Sequence, residues 1–122
     1  MKADYILLAV DNPAESANFY QLVFGATPLE LSPGFALFEM NETTKLGLWA
    51  RKNIEPKVIV DAGGSEIAIS VEGRESVDSL HSEWIRKGVT ILQEPVAMDF
   101  GYTFTGSDPD GHRLRVFTPD GI

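Results

Sequence analysis

Ser107-Asp108-Pro109-Asp110-Gly111-His112-Arg113-Leu114-Arg115-Val116-Phe117 decides how this chain is to be read. Asp-Pro-Asp-Gly is strong turn chemistry. Pro presets φ, the Asp side chains can cap local amides, and Gly tolerates positive φ. The segment behind the turn alternates apolar and basic residues, so it predicts a strand with Arg113, Arg115 and Phe117 on one face. A charged side chain in the middle of a short strand needs a structural or functional reason.

Outward from that turn, the rest of the chain falls into a repeated order. Tyr5–Val10 is apolar and strand-like. Asn12 is a good helix N-cap and Pro13 suits the first helical position, with Glu15 completing a pattern like a capping box. Ser16, Ala17, Tyr20, Val23 and Phe24 follow at helical spacing, and Gly25 ends the helix. Strands are predicted at Thr27–Leu31, Phe35–Met40 and Thr44–Arg51. Positions 53–64, with Pro56 and Gly63-Gly64, read as a linker. A strand Glu66–Val71 comes next. A helix Glu75–Lys87 then puts Val77, Leu80, Trp84 and Ile85 on one side and stops at Gly88. Strands Val89–Pro95, Tyr102–Gly106 and Arg113–Phe117 close the chain. Each half thus reads strand–helix–strand–strand–strand, and the repeat is one of element order, with little residue identity.

Length and composition bound the possibilities. The 122 residues make one domain with enough chain for a core. Its modules are 1–52 and 65–122. A hydrophobic fraction of 43% is ordinary for a globular chain. There is no cysteine, which removes disulfides, thiolate metal sites and thiol nucleophiles. No apolar run approaches the roughly 20 residues of a membrane span. The start, Met1-Lys2-Ala3-Asp4, has no apolar signal region, so a cytoplasmic location is expected. The net charge is −8, against the basic footprint that nucleic acid requires. Lys52, Lys57, Arg86 and Lys87 are scattered and read as solvated surface.

Two stretches carry a family resemblance. Gly101-Tyr102-Thr103-Phe104-Thr105-Gly106-Ser107-Asp108-Pro109-Asp110-Gly111-His112 resembles the end of a glyoxalase/bleomycin-resistance/dioxygenase (vicinal-oxygen-chelate) protein. Val10-Asp11-Asn12-Pro13-Ala14-Glu15-Ser16-Ala17-Asn18-Phe19-Tyr20 resembles that family's opening strand and helix. Within the family the chain most resembles phenazine-antibiotic resistance proteins, through Leu46-Gly47-Leu48-Trp49 and the closing Gly-x-Thr-Phe segment. The resemblance implies an α+β fold of two tandem βαβββ modules with cupped mixed sheets, paired across a homodimer, with sites between cupped sheets.

The same resemblance implies where chemistry would sit. Metal-dependent members place ligands on the first, fourth, fifth and eighth strands, which lands here on Tyr5, Gly47, Glu66 and Arg115. Only Glu66 suits a divalent cation; Gly47 has no side chain and Arg115 repels one. No metal and no other cofactor is therefore expected. Because the family's first and last strands of a module pair, Glu66 and Arg115 become neighbours, in a charge-assisted and even bidentate pair. Two readings stand: the pair neutralises itself and holds the cup open, or one member hydrogen-bonds a ligand's polar edge.

The remaining candidates are aromatic. Trp49 shares a face with Gly47 by strand parity, and Gly47 leaves room for a flat group. Tyr5 and Phe117 have matching parity. Aromatic faces stack planar ligands, worth roughly 0.5–1.5 kcal/mol beyond area burial. Tyr102 and Phe104 alternate on one strand face, rimming the pocket or packing the core. Trp84 reads as core, while His81, His112, Glu39 and Asp99 read as surface. Gly63-Gly64 lacks the context of a phosphate cradle.

The function these features support is metal-independent binding and sequestration of a planar aromatic small molecule by Tyr5, Gly47, Trp49, Glu66, Tyr102, Phe104, Arg115 and Phe117. The alternative is a lyase, isomerase or dioxygenase of the same fold with an atypical or absent metal, Glu66 then being the base. A third class is a dimeric interaction module with no small ligand.

Overall fold

The computed structural model of the chain describes residues 1–119. Positions 120–122, the end of the predicted second module, lie outside the described residues. The chain divides into two compact units between Asp61 and Ala62. The first contains β1 (Tyr5–Val10), α1 (Pro13–Phe24), β2 (Glu30–Ser32), β3 (Phe35–Asn41) and β4 (Thr44–Ala50), followed by a short 3-10 turn, Arg51–Asn53. The second contains β5 (Glu66–Ser70), α2 (Gly73–Arg86), β6 (Thr90–Met98), β7 (Gly101–Ser107) and β8 (Arg113–Thr118). Each is a βαβββ module with a four-stranded mixed sheet, ordered β1-β4-β3-β2 in the first and β5-β8-β7-β6 in the second. In both, the first strand pairs in parallel with the last, and the other pairs are antiparallel.

The first module is built as the sequence suggests. Asn12 caps α1, its Oδ1 accepting from the amides of Ala14 and Glu15. Pro13 then loses nothing by lacking an amide, because first-turn amides have no helical partner. The Gly25 amide closes the helix on the Gln21 carbonyl. Ser16, Ala17, Tyr20 and Val23 are buried against one sheet face. On that face lie Ala36, Phe38, Leu46 and Leu48, all buried, with the Tyr20 and Phe38 rings 6.5 Å apart. Strand β2 starts later than predicted, at Glu30. Pro28 offers no amide to the ladder, and the first bond of this edge is Leu29 N–H to the Leu37 carbonyl.

In the second module α2 packs on β6, β7 and β8. Trp84 and Val77 are buried, and the Trp84 ring meets Phe104 edge-on at 5.1 Å. Gly106 lies under the indole; a Cβ there would stand 3.1 Å from two of its ring atoms. The α2 stripe differs from the predicted one at two positions. Ile85 is exposed, and His81 is half-buried against the Phe104 ring with Glu94 as its partner. At 3.6 residues per turn Ile85 lies roughly 80° round from Val77, whereas His81 lies about 40° from it. Strand β6 runs through Pro95 to Met98, where the sequence predicts an end at Pro95. Its ladder shifts register between Gln93 and Val96, a bulge that accommodates the missing proline amide.

The Asp-Pro-Asp-Gly turn behaves as its residues dictate. Asp108 is buried, and its Oδ1 accepts from the amides of Asp110 (2.9 Å) and His112 (2.8 Å). The Asp108 amide donates to the His112 carbonyl, and Gly111 takes φ 95°. At the other end of β7, Gly101 has φ 148°, and a Cβ on it would lie 2.0 Å from the Thr118 carbonyl oxygen. Gly101→Ala will therefore lose at least about 3 kcal/mol of stability or fail to fold. Asn12→Ala, which removes only the cap, will lose about 1 kcal/mol. Urea denaturation of the two variants beside the wild type checks both.

Candidate functional site

Each sheet has one face covered by its helix and one free, and strand parity assigns every candidate to one or the other. On the first sheet Gly47 pairs with Leu7 and Leu37, and Trp49 with Ala9 and Phe35. Cross-strand partners share a face, so Tyr5, Leu7, Phe35, Leu37, Gly47 and Trp49 all lie on the free side. Tyr5 is 55% exposed and Leu7 53%, both on the edge strand β1. Trp49, opposite Ala9 and Phe35, is half-buried. Lys45 places its ammonium 5.6 Å from the Tyr5 ring centroid. The expected vacancy over Gly47 is not there. A Cβ on Gly47 would stand 2.7 Å from Leu7 Cδ2 and 2.9 Å from Phe35 Cζ, so those two side chains fill the space.

On the second sheet β8 alternates cleanly. Leu114 and Val116 are buried beneath α2, and Arg113, Arg115 and Phe117 face the free side. Glu66 pairs in register with Arg113, and Ala68 with Arg115. The Arg115 guanidinium grips Glu66 with both arms: Nε donates to Oε1 at 2.7 Å and Nη2 to Oε2 at 2.9 Å. Its Nη1 donates to Gln93 Oε1 (3.0 Å) and Thr103 Oγ1 (3.2 Å). Thr103 in turn donates to the Val116 carbonyl, and Thr105 to Gln93. Arg113 adds a second cation, its Nη2 lying 2.8 Å from Glu66 Oε2. Phe100 and Phe117 meet edge-on at 5.9 Å, and Arg115 lies 5.8 Å from the Phe100 centroid.

Two predicted binding residues fall on the wrong side. The antiparallel register pairs Thr103 with Phe117 and Thr105 with Arg115. The free face of β7 therefore belongs to the two threonines, and Tyr102 and Phe104 point to the helix. Phe104 is 0% exposed and is core. The Tyr102 hydroxyl donates to Asp78 on α2 at 2.7 Å, a bond that raises the phenol above its ordinary value. Arg74 stacks over the same ring. The sequence also left Arg113, Gln93, Thr103 and Thr105 out of the site. Counting back across the turn from Arg113 to Ser107, its partner, would have found the threonines. Gln93 had no such signal, because the β6 bulge breaks the parity.

The donor set implied by the resemblance does not suit a divalent cation. Gly47 offers no ligand, and both Glu66 oxygens are held by guanidinium groups that would repel one. Among the described residues no three of His, Cys, Asp and Glu gather as a metal site. Two open clefts, of about 540 and 530 Å³, lie near the starts of α1 and α2, and none of the eight predicted binding residues lines either.

Arg115's hydrogen bonds hold the Glu66 carboxyl below its ordinary 4.5; partial burial opposes this, and the charges of Arg115 and Arg113 add to the lowering. A depressed folded-state value means stability that is present above the unfolded value and lost as pH falls through the folded one. The Glu66→Gln variant will accordingly show a flatter loss of stability than wild type as pH drops from 5 towards 3, about and below the ordinary carboxylate value. Urea midpoints across that range read the difference, and identical slopes would mean the clasp does not contribute.

The family model described as Glyoxalase/Bleomycin resistance protein/Dioxygenase superfamily matches residues 2–116. The phenazine antibiotic resistance protein EhpR of Enterobacter agglomerans is 33% identical over 113 residues, covering 90% of this chain and 86% of that protein. The metallothiol transferase FosB of Lysinibacillus sphaericus is 28% identical over 121 residues, covering 94% and 80%. Among solved structures, a protein of Agrobacterium tumefaciens determined in solution by NMR superposes with a TM-score of 0.89 at 47% identity, covering 99% of this chain and 100% of that one.

Proposed function

The chain belongs to the Glyoxalase/Bleomycin resistance protein/Dioxygenase superfamily, and from that premise we propose that it binds and sequesters a planar aromatic small molecule, without metal and without turnover. The observation that carries this reading is the free face of the first sheet. Trp49 shares that face with Tyr5 and Leu7, the latter two each more than half exposed. Exposed aromatic and aliphatic side chains grouped on one sheet face are a stacking surface looking for an apolar partner. Likeness to a phenazine antibiotic resistance protein over 90% of the chain supports a flat, fused-ring ligand.

The enzymatic alternative is weaker on chemical grounds. Its base would be Glu66, but a general base needs a proton affinity near the working pH. The two arginines push Glu66 the other way and occupy both of its oxygens. With both oxygens engaged and its charge compensated, the carboxylate is better suited to holding Arg115 and Arg113 in place.

We propose further that the chain works as a homodimer in the cytoplasm. Tyr5, Leu7, Leu92, Val96 and Met98 are exposed apolar strand residues that one copy leaves in water, and an isologous pair is the common way to cover such surface. Light scattering at micromolar concentration should give about twice the mass of one chain; a single-chain mass would rule the dimer out.

Trp49 tests the binding reading itself. A phenazine or acridine should quench tryptophan fluorescence at micromolar concentration. Trp49→Ala should weaken binding by roughly 1–3 kcal/mol, the range of stacked aromatic–base contacts. Trp84 is buried and supplies background emission, so Trp84→Phe is measured alongside Trp49→Phe. Quenching that survives Trp49→Phe with unchanged affinity would end the stacking proposal.

A further inference from the structure

The side chain of Gln93 has an accepting end and a donating end, and its surroundings decide which faces where. Its Oε1 accepts from Arg115 Nη1 at 3.0 Å and from Thr105 Oγ1 at 3.3 Å. An arginine has no acceptor, so the oxygen must be the atom turned towards it. Arg115 is itself held by two bonds to Glu66. The amide is thereby locked in one orientation, with Nε2 aimed away from the polar cluster. Among the described residues Nε2 meets only the Met98 sulfur, at 3.5 Å and at an exposed position. A thioether is a weak acceptor, and an amide nitrogen has two N–H groups to place. A donor is thus fixed in direction and poorly satisfied.

At this end of the free face the polar cluster gives way to apolar side chains. Val96 pairs with Thr103, which pairs with Phe117, and Met98 pairs with Gly101, two residues before Thr103. Val96, Met98 and Phe117 therefore share the free face of the second sheet with Gln93 and Thr105. Phe100 lies against Phe117, edge-on at 5.9 Å. Val96, Met98 and Phe100 are between 37% and 46% exposed. Methionine is flexible and polarisable, so Met98 can leave the amide and lie against a ring.

We propose that this part of the second module is a ligand surface in its own right. It takes a flat heteroaromatic ring on Val96, Met98 and Phe100, and Gln93 Nε2 donates to a ring nitrogen or carbonyl oxygen of that molecule. The inference rests on the planar-aromatic reading for the flatness of the ring, and adds that the ring carries a hydrogen-bond acceptor. It needs no contact with Trp49. Arg115 is a positioning residue, holding the amide in the orientation that presents the donor.

The chain has three methionines, so labelling their methyl groups with carbon-13 gives a simple NMR spectrum in which Met98→Leu identifies one signal. Quinoxaline, which only accepts hydrogen bonds, and indole, which only donates them, are flat uncharged bicycles. Titrated into the full chain, quinoxaline should shift the Met98 methyl through its ring current and leave Met1 unmoved. The ratio of the two affinities is compared between proteins, since the rings differ in hydrophobicity. Gln93→Glu keeps an acceptor for Arg115 and Thr105 and puts a carboxylate oxygen where the donor was. It should move the ratio towards indole by at least about tenfold, one hydrogen bond being lost and another gained. Gln93→Met, which lacks both ends, should move it about threefold. Thermal midpoints of the two variants show that the fold survives. A ratio that stays within about twofold of wild type in both variants, or a Met98 methyl that neither probe moves, overturns the assignment. A Met98 signal that follows protein concentration instead of probe puts a second copy over this face and overturns it too. Trp49 fluorescence separates this inference from the reading it rests on. Quenching by quinoxaline with an unmoved Met98 methyl keeps the planar-aromatic reading and removes this one, while no response of either at millimolar probe removes both.

Discussion

The register of β8 between its two neighbours is the constraint on which the second module depends. The strand is the inner partner of both β5, in parallel, and β7, antiparallel. Its even positions, Leu114 and Val116, are wholly buried beneath α2. A slip of one residue would send Arg113 and Arg115 under the helix and expose the two aliphatic side chains. That penalty, several kcal/mol for each buried charge, fixes the strand more firmly than its backbone hydrogen bonds alone. The Asp108 turn then sets the length of the connection, so Thr103 and Thr105 must share the face of Arg115 and Phe117. Their hydroxyls are buried beside the guanidinium and find partners there.

The two modules place different chemistry in matching slots. Tyr5 pairs with Lys45 across β1 and β4; Glu66 pairs with Arg113 across β5 and β8. In each case a cation on the closing strand reaches the residue on the opening strand, over an aromatic ring in one module and onto a carboxylate in the other. Two residues further along the closing strand stand Gly47 and Arg115, and two beyond those Trp49 and Phe117. The backbone plan is repeated and the side chains have diverged. The first free face is apolar and aromatic, the second polar with a basic surplus.

Glu66 shows how geometry redefines a residue that looks catalytic. An isolated glutamate on the fifth strand invites a role as metal ligand or base. Clasped by two guanidinium groups it does neither well, since both oxygens are engaged and its proton affinity is lowered. Partial burial raises the cost of removing one partner, because the charge left behind would be poorly solvated. The clasp therefore has the chemistry of a structural ion pair rather than of a reactive centre.

Much of this was legible in the sequence because it is governed by local rules. Asn12-Pro13 and Gly25 mark the ends of α1, Asp108 and Gly111 build the turn, and strict alternation in Arg113–Phe117 separates a charged face from an apolar one. Family likeness supplied the side-by-side pairing of first and last strands, and with it the Glu66–Arg115 contact. What failed in the sequence reading failed for want of register. Tyr102 and Phe104 were assigned to the pocket because alternation tells which residues share a face but not which face it is; only pairing with β8 decides that. The filled space over Gly47 depends on Leu7 and Phe35, distant in sequence and on two flanking strands. Gln93 joins Arg115 through a bulge near Pro95, where periodicity carries no information. The second guanidinium on Glu66, that of Arg113, follows from the distances among three side chains on two strands. The chain alone fixed its elements and their amphipathic faces, since those depend on neighbours in sequence. Side-chain company across strands depends on register and close packing, and the tertiary structure decided it.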